Sequence, residues 1–568
     1  MGDLPAYDPE PTYPLAATAV VRGWEAAVAD LPPEMHVLAV DGSGCLDWAA
    51  VFRGIEAALN AVGRRVATID IREWMQPWDD VLALTSSPEL SADPDFARLP
   101  RVGLAQLFRA LPPPPEAPPG GVGLVLGPGA ALVEHDRLWY VDLPKRYAEA
   151  AVVAGSAVNL GQPLQAGPGT TRRLFYLDWP MLDRHRDAVA PGIDRWLDLQ
   201  DPAGPVSVDG PALRTGLAEL ARRPFRTRPT FNTTSWGGHW AQRELGMNTT
   251  SENTALGYEL IAPESGILLG DAANRVEVPF ALLVATHPHE VLGDAVQEMF
   301  GASFPVRFDY LDTMAGGNLS IHCHPQSDYM RDVFGWPYPQ HESYYIMVGG
   351  PDNEVYLGLR EDIDLEKFHR QAHEAQHNGR PFEITDHVQS FPATPHQLFL
   401  VPVGTPHGSG EGNVVLEVSA TPYLYSLRFY DWLRRDSGGS PRPVHVEHAF
   451  ANLNPKRRGD AVRSELVPRP APLREGPGWW EEVLGSLEEM FYEVRRVTVE
   501  AGSCAPDDTN DRFHVATVVS GPGAQITSNA GSFRLAYAET VVVPAALGKY
   551  EIEPLGPSGV RLVKAVVR

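Results

Sequence analysis

Two imidazoles stand two residues apart in Ser320-Ile321-His322-Cys323-His324-Pro325, a run that reads as a strand. Strand side chains alternate between faces, so His322 and His324 share one face and Cys323 takes the other. Glu342 comes after them, just ahead of the apolar run Tyr344-Tyr345-Ile346-Met347-Val348. A third imidazole, His407, follows the tight turn Pro402-Val403-Gly404-Thr405-Pro406. Three imidazoles and one carboxylate suit a borderline cation and favour zinc over manganese or iron. Spread over several strands, such a set can leave one coordination position open for a substrate.

Strands must position these donors, and the chain's texture supplies them. From about Pro229, short alternating runs punctuated by Gly and Pro predict all-β jelly rolls. Residues 225–435 are expected to form the metal-binding domain, with a helical insertion near 362–380. A Pro-, Gly- and charge-rich linker is expected over 436–478 and a second β domain over 479–568. Ahead of them, strand patterns at 36–40, 65–70, 122–126 and 138–142 alternate with a helix at 48–61 and another from Lys145. That alternation predicts an α/β domain with a largely parallel sheet over 35–224. Residues 1–34, Pro-rich and polar, read as an N-terminal extension with one short helix around 17–29.

Four motifs in order carry a resemblance: 319–325, Glu342, 401–407, and Arg428-Phe429-Tyr430-Asp431-Trp432. Trp236-Gly237-Gly238 precedes them and a cupin-like stretch follows Phe513-His514-Val515. From about Phe225 onward the chain resembles the type I phosphomannose isomerases, zinc-dependent cupins that interconvert mannose 6-phosphate and fructose 6-phosphate. The resemblance implies that His322, His324, Glu342 and His407 bind Zn2+; the family usually has Gln where His322 stands. It implies that Arg428 lies next to the reacting carbons, that Glu417 lines the same pocket, and that Ser320 sits near a phosphate. For Arg428 and Glu417 the plainer alternative is a cross-strand ion pair. Two departures stand out. The family's lysines two residues before the ligand Glu and on the preceding strand are Gln340 and Asp309 here. Arg307 shares Asp309's strand face but lies roughly 7 Å along it, a partial replacement; Arg331 or Arg428 could supply a bidentate phosphate contact. The expected function is a zinc-dependent aldose–ketose isomerase acting on a hexose phosphate. The alternatives are an isomerase for a different sugar, or a non-catalytic metal-containing sugar-binding or regulatory cupin.

Two further motifs compete. His373-Glu374-Ala375-Gln376-His377 matches a zinc-protease pattern, with His369 four residues earlier. A solvated, charged helix is the favoured reading of it. Val40-Asp41-Gly42-Ser43-Gly44-Cys45-Leu46-Asp47 lies between a strand and a helix and resembles the loop of uridine kinase-like P-loop proteins. Cys45, Leu46 and Asp47 occupy the space of the Lys-Ser/Thr pair that would hold phosphates and magnesium. A degenerate scaffold is expected there, for docking or regulation. The formal charge of −25 argues against nucleic acid or an anionic membrane surface as a partner. Three widely spaced cysteines suggest no disulfide framework, and Met1-Gly2-Asp3-Leu4-Pro5 reads as no leader, so a cytoplasmic location is expected.

Overall fold

The computed structural model describes residues 4–16, 18–436 and 438–568. Met1–Asp3, on which the reading of the chain's start partly falls, and Ala17 lie outside the described residues, as does Ser437. No helix among the described residues is long and apolar enough to cross a membrane.

The first domain is built on a seven-stranded sheet. Its order is Val20–Arg22, Val206–Asp209, Arg195–Asp198, Arg137–Asp142, Val37–Gly42, Val122–Leu126, Val66–Asp70. The last five strands run parallel, and the first two are antiparallel additions. Val122–Leu126 is buried throughout, as a parallel strand covered on both faces must be. The helix Trp48–Ala61 covers one face through Trp48, Val51, Ile55, Ala58 and Leu59, an i, i+3, i+7 spacing that puts them on one stripe. Residues 20–29 belong to this domain: the strand Val20–Arg22 pairs with Val206–Asp209, and the helix Trp24–Ala29 packs on Trp48–Ala61.

The second unit faces two antiparallel sheets against each other. The six-stranded sheet runs Leu398–Val401, Glu342–Val348, Val414–Ala420, Val306–Asp312, Leu256–Leu260, Thr230–Asn232. The five-stranded sheet runs Val388–Pro392, Glu354–Leu359, His407–Ser409, Ile321–Cys323, Leu427–Tyr430. The insertion is the helix Leu365–Asn378, started by Asp364 accepting from Lys367 N and stopped by Gly379 at φ +64°. The stretch 436–478, read as a linker, carries the helices Val446–Asn452 and Asp460–Leu466 and the strand Ala471–Gly476. Val446, Ala449 and Leu466 are buried, so this segment is packed rather than free.

The C-terminal unit repeats the two-sheet plan with six and four strands between Ala471 and Val567. Its Tyr492 hydroxyl donates to Val418 O (2.8 Å), while the second unit's Tyr310 hydroxyl donates to Ala538 O (2.7 Å). The first domain is fastened to the second at buried Glu277, which accepts from both Nη atoms of Arg146 (2.6 Å each) and from Arg228 (2.7 Å).

Candidate metal centre

The site lies between the two sheets of the second unit. His322 and His407 are register partners on adjacent strands of the five-stranded sheet, and His324 follows the end of the His322 strand. Glu342 opens its strand on the opposite sheet. Alternation does what the spacing predicts: Cys323 points away, buried among Ile321, Met330 and Phe334. His407 is delivered by the turn before it. Gly404 there adopts φ +73° and donates its N–H to His324 O (2.9 Å). A Cβ at Gly404 would lie 2.5 Å from Asn452 O, so the turn requires glycine twice over.

The four side chains are buried, and each offers a ligand atom within 4.8 Å of the others. The imidazole centroids are 4.3 Å apart for His322–His407 and 5.1 Å for His324–His407. His407 Nδ1 sits 2.9 Å from Thr405 O and His322 Nδ1 3.0 Å from Ser320 O, which assigns the proton to Nδ1 in both rings. Tyr425 O lies 3.3 Å from His324 Nδ1. Nε2 of His407 is then a lone pair, yet it lies 2.7 Å from Glu342 Oε2 and makes no hydrogen bond. His324 Nε2 is 3.0 Å from the same oxygen. A bare nitrogen lone pair facing a carboxylate oxygen at that range is repulsive unless a cation is shared between them. The donor set therefore fits a metal ion. Burial, with the neighbouring rings, drives the His322 pKa well below the usual imidazole range, which keeps it the neutral ligand form.

Around this set lie charged groups from the six-stranded sheet. Arg307 donates to Glu417 and to Ser419 Oγ (2.5 Å), and lies 3.5 Å from Glu342 and 3.6 Å from Asp309. Burial pushes the Glu417 carboxyl well above its ordinary range; Arg307 opposes this, and Asp309 and Glu342 add to it. Gln340 is buried beside His324 and Arg307. Ser320 Oγ is 3.3 Å from His322 Nδ1. Arg428 pairs in register with His322, lines the cavity and donates to Pro443 O (3.0 Å). A cavity of about 600 Å³ opens over these groups.

Two expectations need correction. Arg331 is not at the site: it is exposed, bonded to Asp328 (2.8 Å) and Asp332 (2.9 Å) on its own helical turn. Glu417 has an ion-pair partner, but it is Arg307 rather than Arg428. Arg307 is the residue the sequence underrated. Its long side chain spans the strand offset that was expected to limit it. The competing His369 and His373 converge on exposed Glu447 (3.2 and 2.7 Å), while Glu374 of the protease pattern pairs with Arg380 (3.2 Å). That is a solvated helix face with a surface cluster.

Two facing sheets with a buried His3Glu set at the floor of a cavity define a β-sandwich protein with a site that could hold a metal ion. Over part of its length the chain is homologous to mannose-6-phosphate isomerases at low identity. It is 24% identical over 340 residues to the probable mannose-6-phosphate isomerase GmuF of Bacillus subtilis (strain 168), spanning 58% of this chain and 96% of the relative. It is 23% identical over 330 residues to the mannose-6-phosphate isomerase of Streptococcus mutans, spanning 56% and 91%. The crystal structure of the Bacillus subtilis mannose 6-phosphate isomerase superposes with a TM-score of 0.49 at 19% identity, covering 60% of this chain and 99% of that one. Residues 23–222 match a different family model, described as a domain of unknown function (DUF8485).

Proposed function

We propose that this protein is a zinc-dependent aldose–ketose isomerase of the mannose-6-phosphate isomerase kind, its site held in a cupin-type sandwich. The observation that carries the reading is the convergence of three imidazoles and Glu342 beside a hydrogen-bonded Arg307–Glu417 pair in one cavity. His322, His324, Glu342 and His407 would hold the zinc, which when bound supplies polarisation of the sugar oxygens. Isomerisation moves a proton between adjacent carbons through an enediol-like state. Glu417, ionised against Arg307, takes the proton from the carbon next to the carbonyl and returns it to the neighbouring carbon, while the hydroxyl proton passes from the oxygen of the first carbon to that of the second. Ser419 and Arg307 hold that carboxyl in place. Arg428, at the cavity wall, faces the developing oxyanion. Ser320 steadies His322 and borders the substrate space.

A second reading, a metal-containing sugar-binding module without turnover, is favoured by Gln340 and Asp309, which stand where the resembled family carries lysines. A coupled assay on mannose 6-phosphate and on free hexoses, with and without chelator, separates the two. Turnover that chelation abolishes is the expected result. Metal retained without turnover on any hexose or hexose phosphate contradicts catalysis and leaves the binding module.

We read the first domain as a uridine kinase-like scaffold that has lost its phosphate chemistry. Its helix Trp48–Ala61 is capped by Asp47, which accepts from Ala50 N (3.0 Å). A carboxylate thus occupies the helix terminus where an anion would bind. Asp41 is closed off as well, accepting from Gly129 N and Ala131 N (2.9 Å each) and 2.7 Å from His185 Nε2. No ATP hydrolysis is expected of it.

A further inference from the structure

The cavity over the imidazoles is not built by the sandwich alone. Asp95, Phe96, Arg146, Glu149, Phe175 and Tyr176 of the first domain line it too. This wall is fixed in place. Phe96 stacks on Tyr425 at an interplanar angle of 15° and lies 4.6 Å from the His445 ring, and the Tyr176 hydroxyl donates to Leu424 O (3.1 Å).

The charges around the cavity do not suit a phosphate. Six carboxylates line it against four guanidinium groups. Three of those four are already engaged by carboxylates: Arg146 by Glu277, Arg307 by Glu417, and Arg442 by Asp431 (3.3 Å). Arg428 alone of the four has no ion pair among the described residues, and its hydrogen bond goes to Pro443 O. On the first-domain side burial, helped by nearby Glu264, pushes the Glu149 carboxyl up to about 7, so its negative charge is only partly developed at neutral pH. Away from the metal position, a phosphate dianion at the first-domain wall would meet Asp95 and Glu149, with Arg428 the one lining guanidinium outside an ion pair among the described residues.

Two residues of the same lining carry polar atoms with no hydrogen-bond partner. Asp309 is wholly buried and lines the cavity, and neither of its carboxylate oxygens has a hydrogen-bond partner. Its charge is balanced by Arg307, 3.6 Å away, but its hydrogen-bonding capacity is unspent. The buried Tyr344 hydroxyl beside it is also unpartnered. Unspent buried acceptors call for donors, and the hydroxyls of a sugar are donors.

We propose that the cavity takes an uncharged hexose, its hydroxyls donating to Asp309, and that the acidic wall contributed by the first domain excludes phosphorylated sugars. This rests on the sugar-isomerase reading and narrows its substrate class. Direct binding and turnover are measured separately on the metal-loaded full chain, with mannose and mannose 6-phosphate as probes. The expected result is at least about tenfold tighter binding of mannose than of the phosphate ester by titration calorimetry. Asp309→Lys should reverse that preference, and Glu149→Arg should raise the affinity for the ester several-fold. Tighter binding of the ester by the unaltered protein, or no binding of mannose, glucose or fructose, overturns the proposal. Hexose binding without turnover sustains the substrate class and removes the isomerase reading. Turnover of an ester that binds better does the reverse.

Discussion

Two sandwiches of this chain hide charged groups between their sheets, and they spend them in opposite ways. In the C-terminal unit, Lys564 Nζ lies 2.5 Å from Asp507 Oδ2 and 2.8 Å from Glu481 Oε1. The Tyr550 hydroxyl donates to Asp507 (2.8 Å) and meets His514 Nδ1 (2.8 Å). Burial, helped by Lys564, drives His514 down to about 3, so at neutral pH it is uncharged and acts there as a hydrogen-bonding partner. Every charge there has an opposite charge in contact. In the second unit the imidazoles instead bring lone pairs to Glu342, and His407 Nε2 is left without a bond. The C-terminal cavity is the roomier, about 1040 Å³ against about 600 Å³. Cavity size therefore does not mark the metal site. Unspent donors do.

The comparison breaks most visibly at the ligands. His324→Ala should weaken metal binding by more than the roughly 10–100-fold that loss of an outer partner costs, and should end turnover. His514→Ala should leave metal content as it was. Metal analysis of the two variants checks this, and equal loss in both would erase the distinction between the sandwiches. Next in size is Lys564→Met. It leaves Arg474 to balance the buried Asp507 and Glu481, and about 3 kcal/mol of stability should be lost, read as a lowered denaturation midpoint with metal still bound. The smallest effect is on acid stability. Burial raises the Asp507 carboxyl, but Lys564, with His514 and Arg474, outweighs burial and holds it well below the ordinary aspartate value of about 3.9. Its contribution is complete above that ordinary value and is lost as pH falls toward the depressed one. Unfolding of the C-terminal unit should ease progressively below about pH 4 in the wild type and less so in Asp507→Asn.

What the sequence discloses and what it hides follow from locality. The pair His322/His324 and the outward Cys323 are read from strand alternation, which depends on neighbours in the chain. The helix 48–61 and the insertion at 365–378 are bounded by Asp47, Asp364 and Gly379, caps that act within one turn. The strands Arg195–Asp198 and Val206–Asp209 have no signature in the sequence because four residues carry too little periodicity. Arg307 and Arg331 are alike as residues, yet one is buried beside Glu417 and the other pairs with its own turn at the surface. Only the tertiary placement of their strands and turns separates them. Likewise the wall formed by Asp95, Phe96 and Glu149 comes from a domain whose own pattern points to different chemistry. Its part in the cavity is visible only once the two units are packed together.

The central claim is that His322, His324, Glu342 and His407 together hold one metal ion. Elemental analysis of the purified full chain beside His407→Ala tests it most directly. Close to one zinc per chain in the first and a trace in the second is the predicted result. Metal retained undiminished by the variant, or a natural chain that takes up none when zinc is supplied, contradicts it.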